Sequence, residues 1–584
     1  MAYRGLDAHL FRGAVIPTNS PLPVFALSYI SRLTHELLLT IFMTIANMYD
    51  DQFILPMEDT RFRALTIVRR AAQVCSRWRK LLLENGGIWG RVIDVNLLLD
   101  LKTEHWRNEV LQRTRTAPLF IRGTVFSPYS DKKRQEFDRD VRKFFMKLFN
   151  FTNWERTEVL DLAVDNIAWF SRKTLEYIQR PHRHLKIFRL TTLEDPPAFR
   201  TPLDRPNMIA FTKKAPRLVQ LECTDVAINL QAHWFSSLCN FGLSYRKETN
   251  RSHPFTLHDI LSTLEQMPHL ERLNIRWAIK RPTKDDMANV QPKLLHNLKK
   301  LGIEDNFATC IAFLAKVRAP RGCHFVLTTN DTTYSTDPRF IAGARAVIAL
   351  FAQNFFSANA ISRIRLNLND SGLIISALDS RPASFEGGYR FRIECALSNA
   401  PQEASPLLKF FAESLSPALS SSSITRLLLY SSGKGRVVSI EGLALFLGSL
   451  GSLEVLETTA EVINRYLCPF FSKLVEGAKI SGRQPPPLCP NLRMVSILSF
   501  DVYGTPNSEA PAPNLAMRLL YLFKFREQLG FPIPLLDLTL CRSSLCPLEC
   551  LEEMTGLSVI WRDRDGGQKV YVCRSGAANE TAFN

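Results

Sequence analysis

The chain has 584 residues, too many for one ordinary domain and enough to bury a sizeable core. Hydrophobic residues make up 46% and charged residues 22%, which excludes a chain disordered throughout. Basic residues exceed acidic ones by 73 − 56 = 17, a mild excess over this length. There is no long Lys/Arg run and no aromatic-and-basic binding module, so the charge does not by itself argue for nucleic acid.

The cysteines are scattered, several of them (Cys75, Cys223, Cys239, Cys310, Cys395) inside apolar runs where a thiol behaves as a small hydrophobe. The N-terminus lacks the continuous apolar core of a secretory signal, and no apolar run reaches the roughly 18–20 residues that span a bilayer. The expectation is an intracellular protein, cytoplasmic or nuclear, with reduced thiols and no membrane contact.

Residues 1–30 read as a flexible lead-in. The segment 33–94 that follows is the most patterned of the chain. It opens LTHELLLTIFMTIA, in which Leu37, Leu38, Ile41, Phe42 and Ile45 recur at helical spacing. After a polar stretch, VRRAAQVCSRWRKLLLE repeats the pattern with Val68, Ala71, Val74, Cys75, Trp78 and Leu82. A Gly-Gly turn then brings in Ile88 and Trp89, a bulky pair able to plug the base of a helical module. An amphipathic helix carrying Trp106, Val110 and Leu111 comes next, then a Thr-Ala-Pro turn and a strand beginning at Leu119.

The order Leu-x-x-Glu-Leu-Leu-x-x-Ile-Phe, Val-Cys-x-x-Trp-Arg, Ile-Trp resembles the F-box-like proteins of filamentous and mushroom-forming fungi. The helix, Ala-Pro-Leu and strand that follow extend the resemblance to about Val125. Thr34 stands where that family usually has proline; its hydroxyl can cap the helix instead. The resemblance implies docking on the Skp-type adaptor of a cullin–RING ubiquitin ligase, with Leu33, Leu37, Leu38, Ile41 and Phe42 as the partner face. Ile45, Val74, Cys75, Trp78, Ile88 and Trp89 are the expected core of the module.

Beyond about residue 150 one pattern recurs: apolar, two variable positions, apolar, one variable position, apolar. Its copies are Leu185/Phe188/Leu190, Leu218/Leu221/Cys223, Leu270/Leu273/Ile275, Leu298/Leu301/Ile303, Ile361/Ile364/Leu366, Ile424/Leu427/Leu429 and Leu492/Val495/Ile497. Partial copies are EVLDLAV and SLEVLE. Helix-like stretches such as LHDILSTLEQM, CIAFLAKV, IEGLALFLGSL and NLAMRLLYLFKFREQL lie between them. One strand and one helix per repeat predict an α/β chain, a small all-α F-box-like module (31–95) followed by an irregular leucine-rich-repeat-like solenoid (151–563). Residues 96–150 form a linking segment, and 564–584 a flexible tail. The region 330–422 is the least regular, with GLIISAL and YRFRIECAL as a candidate strand pair.

There is no phosphate-cradling Gly-x-x-x-x-Gly-Lys loop, and Gly433-Lys-Gly435 reads as a turn. His182 and His184 read as solvated side chains of a basic loop, and the spacing of Cys541, Cys546 and Cys550 is not that of a zinc site. No cofactor, metal or catalysis is expected. The resemblance makes the chain the substrate-recognition subunit of an SCF-type ligase, binding an unknown target protein. The alternative is a non-catalytic repeat scaffold whose F-box-like hairpin only caps the solenoid, a need such folds have.

Overall fold

The computed structural model describes residues 29–47, 63–127 except 101–103, 131–192 except 167, 168, 171 and 179, 215–246 except 227 and 229, 255–283, 291–329, 337–369, 372–378, 390–396, 405–432, 440–473, 488–498, 515–541, 549–562 and 566–575. The Gly433-Lys-Gly435 turn, Cys546 and most of the lead-in lie outside them. The chain divides into two compact units, Met1–Arg122 and Gly123–Asn584.

The first unit is built from short helices: α1 His35–Ile45, α2 Ala64–Ala71, α3 Ser76–Glu84, α4 Gly86–Arg91, α5 Val95–Asp100 and α6 Glu104–Arg113. The two-residue strand β1 Ile93–Asp94 pairs in parallel with Ile121 and Arg122 of β2 Leu119–Val125. The helix starts are set by local capping: the Thr34 hydroxyl accepts from Leu37 N at 3.4 Å, and Asn85 Oδ1 from Ile88 N at 3.3 Å. Residues 95–122 belong to this unit, so they do not form a separate linking segment.

The second unit is mixed α/β around a large sheet in which parallel pairing dominates. Its strands are β3 Thr157–Val164, β4 Ile187–Thr192, β5 Gln220–Thr224, β6 Asn240–Ser244, β7 Arg272–Arg276, β8 Lys293–Leu294, β9 Lys300–Asp305, β10 Val317–Arg318, β11 His324–Thr329, β12 Arg363–Asn369, β13 Gly372–Leu378, β14 Phe391–Ala396, β15 Arg426–Ser432, β16 Val455–Thr458, β17 Met494–Leu498, β18 Leu535–Leu540, β19 Ser558–Arg562 and β20 Gln568–Val572. From β3 through β7, then β9 and β11, each strand runs parallel to the one before. Among the described residues, the short β8 and β10 pair only with each other.

Four of the seven predicted copies fall on this ladder in register, and the other three lie on β12, β15 and β17, where Ile364, Leu427 and Val495 share one row with Leu456 of β16. Leu160, Phe188, Leu221, Phe241, Leu273, Leu301 and Phe325 are successive Cα partners. Every one of them is buried. Because alternate strand residues point to opposite faces, the intervening positions (Asp161, Arg189, Glu222, Gly242, Asn274) line the other face. At the foot of many strands one carbonyl accepts two amides from the next repeat: Lys186 O takes Val219 N and Gln220 N, Glu271 O takes Lys299 N and Lys300 N. The four helix-like stretches fold as helices Leu257–Glu265, Phe307–Lys316, Ile440–Gly448 and Leu515–Gln528.

The region 330–422 breaks the order. β11 pairs in parallel with β14, not with the next strand in sequence, and β14, β13 and β12 form an antiparallel meander. GLIISAL and YRFRIECAL are thus a strand pair, as expected. β12 then restarts the parallel run through β15, β16, β17, β18 and β19. The tail is more ordered than expected: β20 pairs antiparallel with β19, aligning Tyr571 with Val559, so structure continues past residue 564.

Contrary to expectation, His182 is buried at 2% exposure and not solvated, whereas His184 is exposed. Its Nδ1 accepts from His184 N at 3.2 Å and Leu185 N at 3.0 Å, so the ring proton sits on Nε2 and is donated to Trp154 O at 2.6 Å. Burial holds the imidazole below the ordinary histidine range, with the nearby His184 adding to the effect. A base with a depressed folded value contributes stability above its unfolded value of about 6.5 and loses it as pH falls through the lower folded one. Stability should therefore drop on acidification below about pH 6.5. His182→Asn keeps an acceptor for the loop amides without titrating. Melting curves between neutral and mildly acidic pH should show the gap between variant and native chain narrowing as pH falls; a constant gap would contradict this.

Candidate partner-docking surface

Helix α1 is apolar except along the stripe of Glu36, Thr40 and Thr44 and at His35, and the fold decides which apolar stripe faces inward. Leu38, Phe42 and Ala46, spaced four apart, are buried. Phe42 meets the edge of Trp78 with ring centroids 5.1 Å apart. Leu37 and Ile41, on the adjoining stripe, are 52% and 43% exposed, and Ile45 continues that stripe half-buried. Leu33 is half-buried, and its carbonyl accepts from Arg77 Nη2 at 2.5 Å. Ile30, in the turn Tyr29–Arg32, is exposed as well.

This sorts the expected residues differently. Leu38 and Phe42, expected on the partner face, are core. Val74 and Cys75, expected in the core, are exposed, Val74 at 62%. The cause is a break in the second helical stretch. Read as one helix it carries Val68, Ala71, Val74, Cys75 and Trp78 on one stripe, but α2 ends at Ala71. Cys75 then serves as N-cap of α3, its Sγ accepting from Trp78 N at 3.5 Å. Trp78 stays half-buried through Phe42, and Ile88 and Trp89 are fully buried as expected.

The base of the module is held by Trp89. Its Nε1 donates to Leu82 O at 2.7 Å, and the Arg113 guanidinium stacks 4.7 Å from its ring. Asp94 accepts from Leu97 N at 3.1 Å, capping α5, and pairs with Arg63 at 3.2 Å. Burial raises the Asp94 carboxyl above its ordinary range, with Arg63 opposing. At the start of α1, backbone hydrogen bonding at Glu36 and the Thr34 hydroxyl hold the Glu36 carboxyl below the usual range, keeping an anion beside the exposed stripe.

Among the described residues no set of three or more His, Cys, Asp or Glu side chains is arranged to hold a metal ion. Burial pushes the Cys489 thiol up to about 12 and the Cys541 thiol up to about 11, away from thiolate reactivity. No described helix is long and apolar enough to cross a membrane. No family model matches the chain, and no curated protein is significantly similar to it.

Proposed function

We propose that the chain is the substrate-recognition subunit of an SCF-type cullin–RING ubiquitin ligase. The N-terminal unit is an F-box-like module that docks on a Skp-type adaptor. The second unit is an irregular leucine-rich-repeat-like solenoid that holds a target protein. The observation that carries the docking is the exposed stripe of Leu37 and Ile41 on a helix whose other apolar stripe is already buried. Such a stripe, with the exposed Val74 in the same module, is the surface an apolar groove of a partner would cover. In-register parallel strands joined by helices support the solenoid reading. The ligase role itself comes from the sequence resemblance, since folds do not specify functions.

The test is co-purification with the adaptor. Leu37→Asp with Ile41→Asp should cut capture roughly tenfold or more, since the two desolvated anchors together contribute about 1.4 kcal/mol or more. The melting temperature should hold, because exposed positions change stability by about ±0.5 kcal/mol. Unchanged capture by the double variant overturns the assignment of this face. If the intact chain captures no adaptor, the non-catalytic scaffold takes its place.

A further inference from the structure

Where the meander joins the ladder, the open face of the sheet gathers a cluster of arginines. Arg392 of β14, Ser376 of β13 and Arg365 of β12 are consecutive Cα partners, and all three lie opposite in parity to the buried Ile393, Ile375 and Ile364. Two strand spacings put Arg365 and Arg392 about 10 Å apart with Ser376 between them. Ser376 is fully buried beneath the longer side chains, yet its Oγ finds no hydrogen-bond partner. Asn367, two residues along β12 and 6% exposed, leaves its Oδ1 unpartnered.

The charges around Ser376 are unevenly matched. Arg392 is held by Glu394 at 2.6 Å, and Arg363 and Arg426 both pair with the buried Glu457. Arg365 has no carboxylate among the described residues; its guanidinium leans toward the Tyr430 ring at 5.7 Å, and its Nε is buried without a partner. A planar guanidinium left unpaired beside a buried hydroxyl matches the geometry of an oxyanion. A buried polar group without a partner is costly, so the free Ser376 hydroxyl and Arg365 Nε mark a place for a ligand.

We propose that this patch binds an acidic segment of a protein, its carboxylate or phosphorylated side chain seated over Ser376 between Arg365 and Arg392. The inference deepens the reading of the second unit as the target-binding part and rests on it. A peptide fits better than a nucleic acid. The row through Arg365 continues into Glu457 and Asp537 on one side, and through Gly302 and Asn274 to Glu222 on the other. A phosphodiester chain needs a basic track, not an isolated basic spot with acidic ends.

The test uses the full-length chain without adaptor, so that loss of docking and loss of anion binding are separate results. Fluorescence anisotropy is read with matched labelled peptides carrying serines, glutamates or phosphoserines, and with single-stranded RNA of equal charge. The expected result is at least about tenfold tighter binding of an anionic peptide than of the serine peptide, as hydrogen bonds to charged groups imply. The glutamate and phosphoserine arms decide which oxyanion is preferred. Arg365→Glu should remove that preference and Arg365→Lys should keep part of it. Arg217→Glu, an exposed change of equal charge elsewhere, should leave it intact. Equal binding of neutral and anionic peptides, an unaffected Arg365→Glu protein with native melting behaviour, or tighter binding of RNA each overturns the proposal. If the peptides fail while adaptor capture stands, only this inference falls.

Discussion

Trp89→Ala should destabilise the N-terminal unit by about 3–5 kcal/mol, the range for deleting a large buried aromatic. Domains of this size are stable by only about 5–15 kcal/mol, so the change takes up much of the margin. The ring is fully buried, and removing it leaves Leu82 O without this donor and Arg113 with one of its two aromatic faces, that of Trp106. Trp89→Phe keeps most of the apolar area and loses the hydrogen bond, so its cost should be nearer 1–3 kcal/mol, roughly that of one unmet buried polar group. Gly90→Ala probes the same junction from the opposite direction. A Cβ there would lie 2.2 Å from Pro118 O, so the α4 backbone must shift, at a cost of about 1–3 kcal/mol or more. Hydrogen exchange of the α1–α4 amides would show it, with protection falling in the order native, Trp89→Phe, Trp89→Ala. Trp89→Ala amides as protected as the native ones would mean that Trp89 does not hold the module together. Adaptor capture should fall with Trp89→Ala despite its distance from solvent, a loss through folding that Leu37→Asp with Ile41→Asp does not share.

The contrast between those variants shows where sequence reading stops. Helix α1 was legible as an element because LLLTIFMTI is apolar over consecutive turns and Thr34 can cap it. For the same reason its inward face was not legible: an apolar run this dense offers two stripes, and tertiary neighbours choose between them. Trp78 selects Phe42, and Leu38 follows one turn earlier. Val74 and Cys75 fall off the inward stripe because the helical periodicity stops at a break that Cys75 itself caps.

In the second unit the repeat was legible because each strand presents the same parity to the core. Two further copies, Leu238/Phe241/Leu243 running into β6 and Ile533/Leu536/Leu538 running into β18, carry the same pattern. Phe241 follows Leu221 by only 241 − 221 = 20 residues, shorter than the spacing of the other repeats. β11 gave no such signal, since Gly322 occupies the position three before Phe325. The inserted order of the meander is a matter of long-range pairing, which local pattern does not encode. The open-face cluster around Arg365 was likewise invisible, because its members come from separate strands brought side by side by that order.

The seam between ladder and meander carries the second large effect. Phe391 of β14 pairs with Phe325 on one side and with Ala377 on the other, and the small alanine leaves room for the ring. Its ring lies 5.6 Å from that of Phe325, 5.2 Å from Phe355 and 5.1 Å from Phe356, the last two supplied by the helix Pro338–Phe356. Phe391→Ala should cost about 3–5 kcal/mol for the cavity and lost burial. Each ring pair contributes roughly 0.5–1.5 kcal/mol beyond area, which places the expectation toward the upper end. The loss should be local, because a strand in such an array is stabilised mainly by its immediate neighbours. Amides of β12, β13 and β14 should exchange faster, while those of β3 to β7 keep their native protection. Anionic-peptide binding should weaken in step, since Ser376 and Arg365 sit on the strands that loosen. Uniform loss of protection across the whole unit would show that the seam is no boundary and that the unit unfolds as one.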